Sequence, residues 1–274
     1  MIHDSSLPFS NYSVERVPRA AARSPPFKRK CRLSPMYVCL VRRETTLTET
    51  LVTCQFIEVR PFESPPQLFC HPSCMATRKL SLVTWNVWFD AFESFRRFSH
   101  IFHLMEKHQP DVILFQEVTP YFLQLLQKQS WIDTYDCSDD FSCTTVDPYG
   151  VLSLCKKSLY CKFQFIPLPS NMERLLLICR TSSLDLNLVI VNVHLESLAN
   201  SVLREKQLQV CSETFADDLN WILCGDYNFC SYKNFAGNGP LENASLQRQL
   251  PGYCDMWKIL RPNDKGNTVS TFLT

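Results

Sequence analysis

Four short apolar runs, each closed by a residue able to handle phosphate or a metal, constrain this 274-residue chain more than any other feature. Val83-Thr84-Trp85 runs into Asn86, and Ile113-Leu114-Phe115 into Gln116 and Glu117. Val189 to Val193 runs into His194 and Glu196, and Ile222-Leu223-Cys224 into Gly225, Asp226 and Asn228. Runs of this length rich in β-branched residues read as buried strands. If the strands lie side by side, their ends share one rim that carries carboxylates, carboxamides and a histidine.

The rest of the pattern fits layered sheets. Leu80 to Trp85, Asp111 to Phe115, Gly150 to Cys155, Tyr160 to Ile166, Leu175 to Arg180, Leu186 to Val193 and Trp221 to Cys224 read as strands. Phe95, Phe98, Ile101, Phe102 and Met105 recur at helical spacing before Pro110. Thr119-Pro120 is a cap followed by proline at the first helical position, opening a helix to about Gln129. A further helix spans about Ala199 to Phe215. Intercalated strands and helices predict an α+β fold with sheets covered by helices.

Taken singly, each rim residue has a plainer role. Asn86 suits a turn, Glu117 an exposed loop start, His194 a structural histidine, and Gly225-Asp226-Tyr227-Asn228 a tight turn. Their joint occurrence after successive strands carries the argument. No Gly-rich phosphate loop and no nucleophile elbow competes. The residue set suits metal-assisted phosphodiester hydrolysis. Carboxylate oxygens favour Mg²⁺ or Mn²⁺. A second carboxylate can take a proton from water, and carboxamides and imidazole can donate to phosphate oxygens.

Thr84-Trp85-Asn86, Gln116-Glu117-Val118, His194-Leu195-Glu196-Ser197 and Gly225-Asp226-Tyr227-Asn228, in that order, resemble the exonuclease–endonuclease–phosphatase superfamily. Ile166-Pro167-Leu168-Pro169-Ser170 before Arg174-Leu175-Leu176, Tyr149 before a strand, and Asp255-Met256-Trp257 resemble its tyrosyl-DNA phosphodiesterase branch. The resemblance covers residues 78 to about 268. It implies a DNase I-like four-layer α/β sandwich with two central sheets. It also implies that Glu117 binds Mg²⁺ (Mn²⁺ as substitute) and that Asp226 activates water. Asn86, Asn228 and His194 would contact the scissile phosphate. Tyr149, Ser197 and Trp257 would bind substrate, a DNA 5′ end carrying phosphotyrosine. For Tyr149 and Trp257 a plain core role is the alternative.

Two departures qualify these expectations. Where the family's first motif carries an aspartate, this chain has Trp88, with Asp90 two residues later as the carboxylate able to substitute. The family also continues into C-terminal strands and a Ser-Asp-His motif, whereas this sequence reaches Ser270 to Thr274 with no histidine after His194. The expectation is an incomplete sandwich over 78–274 with impaired turnover. Other superfamily chemistry (abasic endonuclease, deadenylase or phosphoinositide phosphatase) and a non-catalytic protein that binds DNA ends or other proteins stay open.

Residues 1–77 read as a poorly structured tail. Nine of the 17 prolines fall within the first 72 residues, and no glycine precedes Gly150. Met36 to Val41 is a short apolar stretch within it, and Met75 lies just before the first clear strand. Lys28-Arg29-Lys30-Cys31-Arg32 fits a nuclear-import signal, so the nucleus is the expected location and the cytoplasm the alternative. Residues 1–79 hold 12 Lys+Arg against 6 Asp+Glu, and residues 80–274 hold 16 against 21. The later part is therefore no broad basic surface for duplex DNA. No run reaches the roughly 18 apolar residues of a membrane span, so no membrane partner is expected. Most of the 14 scattered cysteines, Cys155, Cys161, Cys179 and Cys224 among them, read as buried, reduced hydrophobes. Cys70-His71-Pro72-Ser73-Cys74 resembles half a zinc site without its second pair.

Overall fold

The structure is a computed structural model that describes residues 37–42, 56–59, 80–182, 188–216, 220–231, 234 and 239–263. The expectations for Lys28–Arg32, Cys70–Cys74, Met75, Leu186 and Ser270–Thr274 lie outside the described residues. Every described residue belongs to one compact unit within Leu33–Thr274.

One sheet contains β2 (Phe56–Val59), β3 (Leu80–Asn86), β4 (Val112–Val118), β5 (Tyr135–Cys137) and β6 (Gly150–Lys156), in the order β2-β3-β4-β6-β5. The other contains β1 (Tyr37–Arg42), β7 (Cys161–Pro167), β8 (Leu175–Thr181), β9 (Val189–His194), β10 (Trp221–Asp226) and β11 (Tyr253–Asp255), in the order β11-β1-β10-β9-β8-β7. β3 runs parallel to β4, and β9 parallel to β10. Two strands that run the same way in each sheet bring four C-terminal ends to a common side.

Strand alternation sorts the apolar residues into layers. Val112 and Leu114 of β4 face the other sheet, packing with Leu82, Cys179, Ile190, Ile222 and Cys224. Ile113 and Phe115 face outward onto α1 (Ser94–His108) and α2 (Pro120–Leu126), meeting Phe98, Phe102 and Phe122. On the second sheet, Val191, Val193 and Leu223 face α3 (Ser201–Thr214) and α4 (Asn243–Gln249) through Leu208, Cys211 and Leu246. The order is helices, sheet, sheet, helices, so the expected four-layer α+β sandwich stands. Each fully buried large aliphatic or aromatic side chain contributes about 1.5–3 kcal/mol. A last short helix, α5 (Met256–Leu260), follows β11.

Local signals set the element ends. The Thr119 hydroxyl accepts from Phe122 N at 3.2 Å, capping α2 with Pro120 at its first position. Cys155, Cys179 and Cys224 are buried, as their apolar runs predict, whereas Cys161 on the outer strand of its sheet is only partly buried. Among the described residues no helix is long and apolar enough to cross a membrane.

The first 77 residues hold more than the sequence reading assigned them. β1 lies on the apolar stretch noted there, and pairs with β10 from Tyr37 opposite Asp226 to Val41 opposite Ile222. β2 pairs with β3. Neither run has a local period that sets it apart from its Ser-, Pro- and Arg-rich surroundings. Strand identity here comes from a partner almost 190 residues away, which no local window contains.

Candidate active site

Along the inner faces of the sheets, polarity rises toward one end. Beyond the apolar layer comes a buried layer of neutral polar groups. Gln116 Nε2 donates to Thr84 Oγ1 at 3.1 Å and to Asn192 Oδ1 at 2.8 Å. Asn192 Nδ2 donates to the carbonyls of Phe115 (3.1 Å) and Leu152 (3.0 Å). These bonds stitch the two sheets together where an apolar layer would leave main-chain carbonyls unsatisfied. One step further come Asn86, Glu117, His194 and Asp226.

Glu117 reaches this group through an irregularity. Strict alternation puts position 117 on the face of Ile113 and Phe115, which packs on helices. The β4–β6 register shifts between Phe115 and Val118, and Glu117 takes a left-handed φ of 58°. The bulge turns its carboxylate to the rim, as bulges beside active sites do. Asp226 is aimed by a glycine. Gly225 has φ 138°, and a Cβ there would fall 1.8 Å from the Val193 carbonyl oxygen. Only glycine allows β9 and β10 to approach so closely.

Asn86 Nδ2 bridges the two carboxylates, donating to Asp226 Oδ2 at 2.8 Å and to Glu117 Oε1 at 3.0 Å. Its own Oδ1 accepts from Trp88 N at 2.8 Å. Glu117 Oε2 accepts from Phe89 N at 3.0 Å, and Asp226 Oδ1 from Asn228 N at 2.9 Å. His194 Nε2 lies 3.7 Å from Asp226 Oδ2 and 3.9 Å from Glu117 Oε1, buried and with no hydrogen-bond partner. Ligand atoms of Glu117, His194 and Asp226 lie within 4.8 Å of one another.

Electrostatics distinguish the three. Burial pushes the Asp226 carboxyl from 3.8 up to about 6, against the opposing hydrogen bonds from Asn86 and Asn228 and with a further push from Glu117. Burial, aided by the Arg174 cation, holds His194 well below its usual range. Arg174 Nη1 sits 2.8 Å from His194 Nδ1. A guanidinium only donates, so Nδ1 accepts and the ring proton is on Nε2. A cation fits the remaining donor set. Two carboxylates share one spot, one of them fully desolvated, their direct hydrogen bonds coming from neutral amides and the Arg174 cation acting on Asp226 only from beyond His194. A hard divalent ion answers that charge through oxygen. With its proton, Nε2 cannot ligate, and it serves as a donor.

The other predicted residues divide. Asn228 has φ 54°, and its Nδ2 donates to the Leu195 carbonyl at 2.9 Å, so its amide braces the β9 end. Ser197 Oγ accepts from Arg174 Nη2 at 2.9 Å, orienting the guanidinium. Tyr149 is half-buried at the rim, its ring 5.6 Å from the Arg174 guanidinium carbon and stacked on Phe89. Asp90 stands outside the Glu117–His194–Asp226 cluster. Its carboxylate turns back to accept from Phe92 N at 2.8 Å, which makes it a loop cap. Trp257 lies in the first turn of α5, after β11, with two strand pairings between it and β10.

Sequence reasoning missed Arg174 as a site residue. The available signal was an arginine directly ahead of the apolar run Leu175 to Cys179. It also left the role of Glu196 open. That side chain is fully buried and holds the 170–171 turn, accepting from Ser170 Oγ at 2.6 Å and Asn171 N at 3.2 Å. Buried Arg204 fastens the β9–α3 connection by donating to the carbonyls of Glu196 and Leu198, both at 2.7 Å, with Glu242 pairing its remaining nitrogens.

The model of the Endonuclease/Exonuclease/phosphatase family matches residues 83–246, more than half of the chain. Tyrosyl-DNA phosphodiesterase 2 (TDP2) of Danio rerio is 28% identical over 222 residues, covering 78% of this chain and 56% of the relative. The chain thus spans little more than half the length of that curated relative. The crystal structure of D. rerio TDP2 complexed with single strand DNA product is similar at TM-score 0.54 and 28% identity, over 68% of this chain and 71% of that one. A humanized D. rerio TDP2 carrying 14 mutations is similar at TM-score 0.52 and 26% identity, over 67% and 72%.

Proposed function

Because this chain belongs to the endonuclease/exonuclease/phosphatase family, we propose that it hydrolyses phosphodiesters with Mg²⁺, at DNA 5′ ends that carry phosphotyrosine, in repair of topoisomerase II adducts. By class the chain is a phosphoester hydrolase. The observation that carries the reading is the cluster of Glu117, His194 and Asp226 beneath the rim, with a buried imidazole N–H that no described residue accepts. Glu117 would hold the divalent ion. When bound, that ion neutralises charge developing on the phosphate.

The chain's own groups supply the rest. Asp226, with its carboxyl pushed to about 6, is a base poised near neutral pH and takes the proton of the attacking water. As the water oxygen bonds to phosphorus and the ester oxygen leaves, His194 Nε2–H donates to a non-bridging oxygen. Arg174 fixes that proton on Nε2, and Ser197 fixes Arg174. Asn86 keeps the two carboxylates apart and aligned.

DNA as substrate is supported by a similar structure, D. rerio TDP2, which is described with single strand DNA product. Phosphotyrosine is supported by the curated relative's name. Tyr149 and Trp257 are the aromatics assigned to the strand end, and the nucleus is the assigned location. The test is to assay the purified chain with Mg²⁺ on 5′-tyrosyl oligonucleotide, abasic duplex and poly(A) side by side, with Glu117→Gln as control. Release of tyrosine from the first alone, lost in the variant, is expected. Preference for another substrate overturns the phosphotyrosyl assignment. No turnover on any overturns the catalytic reading and leaves the binding protein.

A further inference from the structure

A loop without regular structure must still satisfy its carbonyls. Residues 87–93, between β3 and α1, do so around one side chain. Arg97 Nη1 donates to the carbonyls of Val87 at 2.7 Å and Trp88 at 3.0 Å, Nε to that of Phe92 at 3.0 Å, and Nη2 to that of Asp90. The guanidinium also lies over the Trp88 ring, 4.6 Å from its centroid. The loop is bent at both ends, with Trp88 at φ 60° and Glu93 at φ 46°, left-handed values that side chains disfavour. The N–H groups of Trp88 and Phe92 go to Asn86 Oδ1 and Asp90 Oδ1. That of Phe89 leaves the loop for Glu117 Oε2 at 3.0 Å.

Glu117 is thereby held at both oxygens, since Asn86 Nδ2 donates to Oε1. Each oxygen keeps a second lone pair for a cation. A carboxylate fixed in advance loses little rotamer freedom when it ligates an ion. Asn86 is set by β3, but the Phe89 N–H keeps its direction only while the loop keeps its curl. Arg97 also acts through its charge. Burial lowers its pKa, and the charges of Asp90, Glu117 and Glu93 work against that shift. Arg97 therefore stands within electrostatic range of Glu117 and of any cation bound there. Its geometry favours a metal at Glu117, and its charge opposes one.

We propose that Arg97 is a positioning residue for the metal-holding carboxylate. By gathering four loop carbonyls onto one guanidinium, it aims the Phe89 N–H at Glu117 and presets that side chain for the divalent ion. Outer-shell partners of a metal ligand are worth about 10–100-fold in metal affinity. The role rests on the reading of Glu117 as the ion's ligand.

The experiment titrates Mg²⁺ into the metal-free full chain by calorimetry and follows hydrogen exchange of the Phe89 amide by NMR. Arg97→Gln and Arg97→Lys are compared with the wild type. Charge alone would make Arg97→Gln bind Mg²⁺ more tightly, because a like charge is gone. Positioning makes it bind more weakly, by about 10–100-fold, with Phe89 exchange accelerated and exchange of the buried α1 amides unchanged. Arg97→Lys keeps the charge but lacks the planar fork that reaches several carbonyls at once, so it should lose affinity too. Tighter or unchanged Mg²⁺ binding in Arg97→Gln, or wild-type affinity in Arg97→Lys, overturns the role. The wild type gives a check that needs no variant to fold, because Phe89 should already be protected before Mg²⁺ is added. Protection that arises only with Mg²⁺ would mean that the ion orders the loop, and the inference falls. A wild type that binds no Mg²⁺, with Phe89 exchange still dependent on Arg97, defeats the metal reading and leaves the loop assignment standing.

Discussion

Arg174 Nη1 and His194 Nδ1 lie 2.8 Å apart, and that one contact decides the chemistry of the imidazole. It leaves the only ring proton on Nε2, facing two carboxylates, and it opposes a second proton through the fixed charge of the guanidinium. A histidine that would otherwise titrate near neutrality becomes a permanent neutral donor. Ser197 belongs to the same device because its hydroxyl accepts from Arg174 Nη2 at 2.9 Å.

Arg174→Gln should therefore release His194. Its titration should move upward, since the Arg174 cation and burial both press it down in the wild type. Nitrogen NMR of the imidazole should show Nε2–H alone at pH 6 in the wild type and a mixture of forms in the variant. Turnover should fall by about 10²-fold, the usual loss for a misplaced donor. Unchanged titration would remove the tautomer role from Arg174.

Glu117→Gln keeps the shape of the side chain and removes its charge. The thermal shift given by millimolar Mg²⁺ should vanish, and turnover should drop by about 10²–10⁴. The Phe89 N–H still has an amide oxygen to meet, so the metal-free melting temperature should stay within a few degrees.

Asp226→Asn should trade activity for stability. The folded carboxyl titrates at about 6 against 3.8 when unfolded, because burial disfavours its charge. The folded protein thus binds this proton more tightly. The group favours folding below pH 4, and that contribution is lost as pH rises from 4 through 6. Above 6 the buried carboxylate costs up to about 3 kcal/mol. The metal-free asparagine variant should be the more stable at pH 7 and lose its advantage at pH 4. Denaturant melts at the two pH values check the sign.

Gly225→Ala should fail to fold. The added Cβ would sit 1.8 Å from a backbone oxygen of β9, where no flexible side chain can yield, and φ 138° is strained for alanine. A loss exceeding 3 kcal/mol is expected, read as insolubility or a collapsed melting transition. Gly252→Ala is the control. It also has positive φ, yet nothing lies within 4 Å of its Cβ, so a milder loss of about 1 kcal/mol is expected.

Sequence alone determined the strands at the core of both sheets and the residues at their ends. A run such as Val189–Val193 has few ways to be satisfied except as a buried strand, and polar groups where it stops must lie where sheet ends meet solvent. Asn86, Glu117, His194 and Asp226 were therefore legible before any fold was known. Tertiary structure decided what each of them does. The bulge that turns Glu117 inward depends on the register between β4 and β6, which no local window contains. Arg174 becomes the partner of His194 only because β8 lies antiparallel beside β9, pairing Leu176 with Val193. Asp90, equally acidic and equally near a motif, is spent on Phe92 N because its loop curls back on itself. β1 is a strand only because the edge of β10 was there to pair with it. Residue types and spacing fix which groups can act. Which of them meet is set by long-range pairing, where a hydrogen-bonded register places side chains far apart in the chain within ångströms of one another.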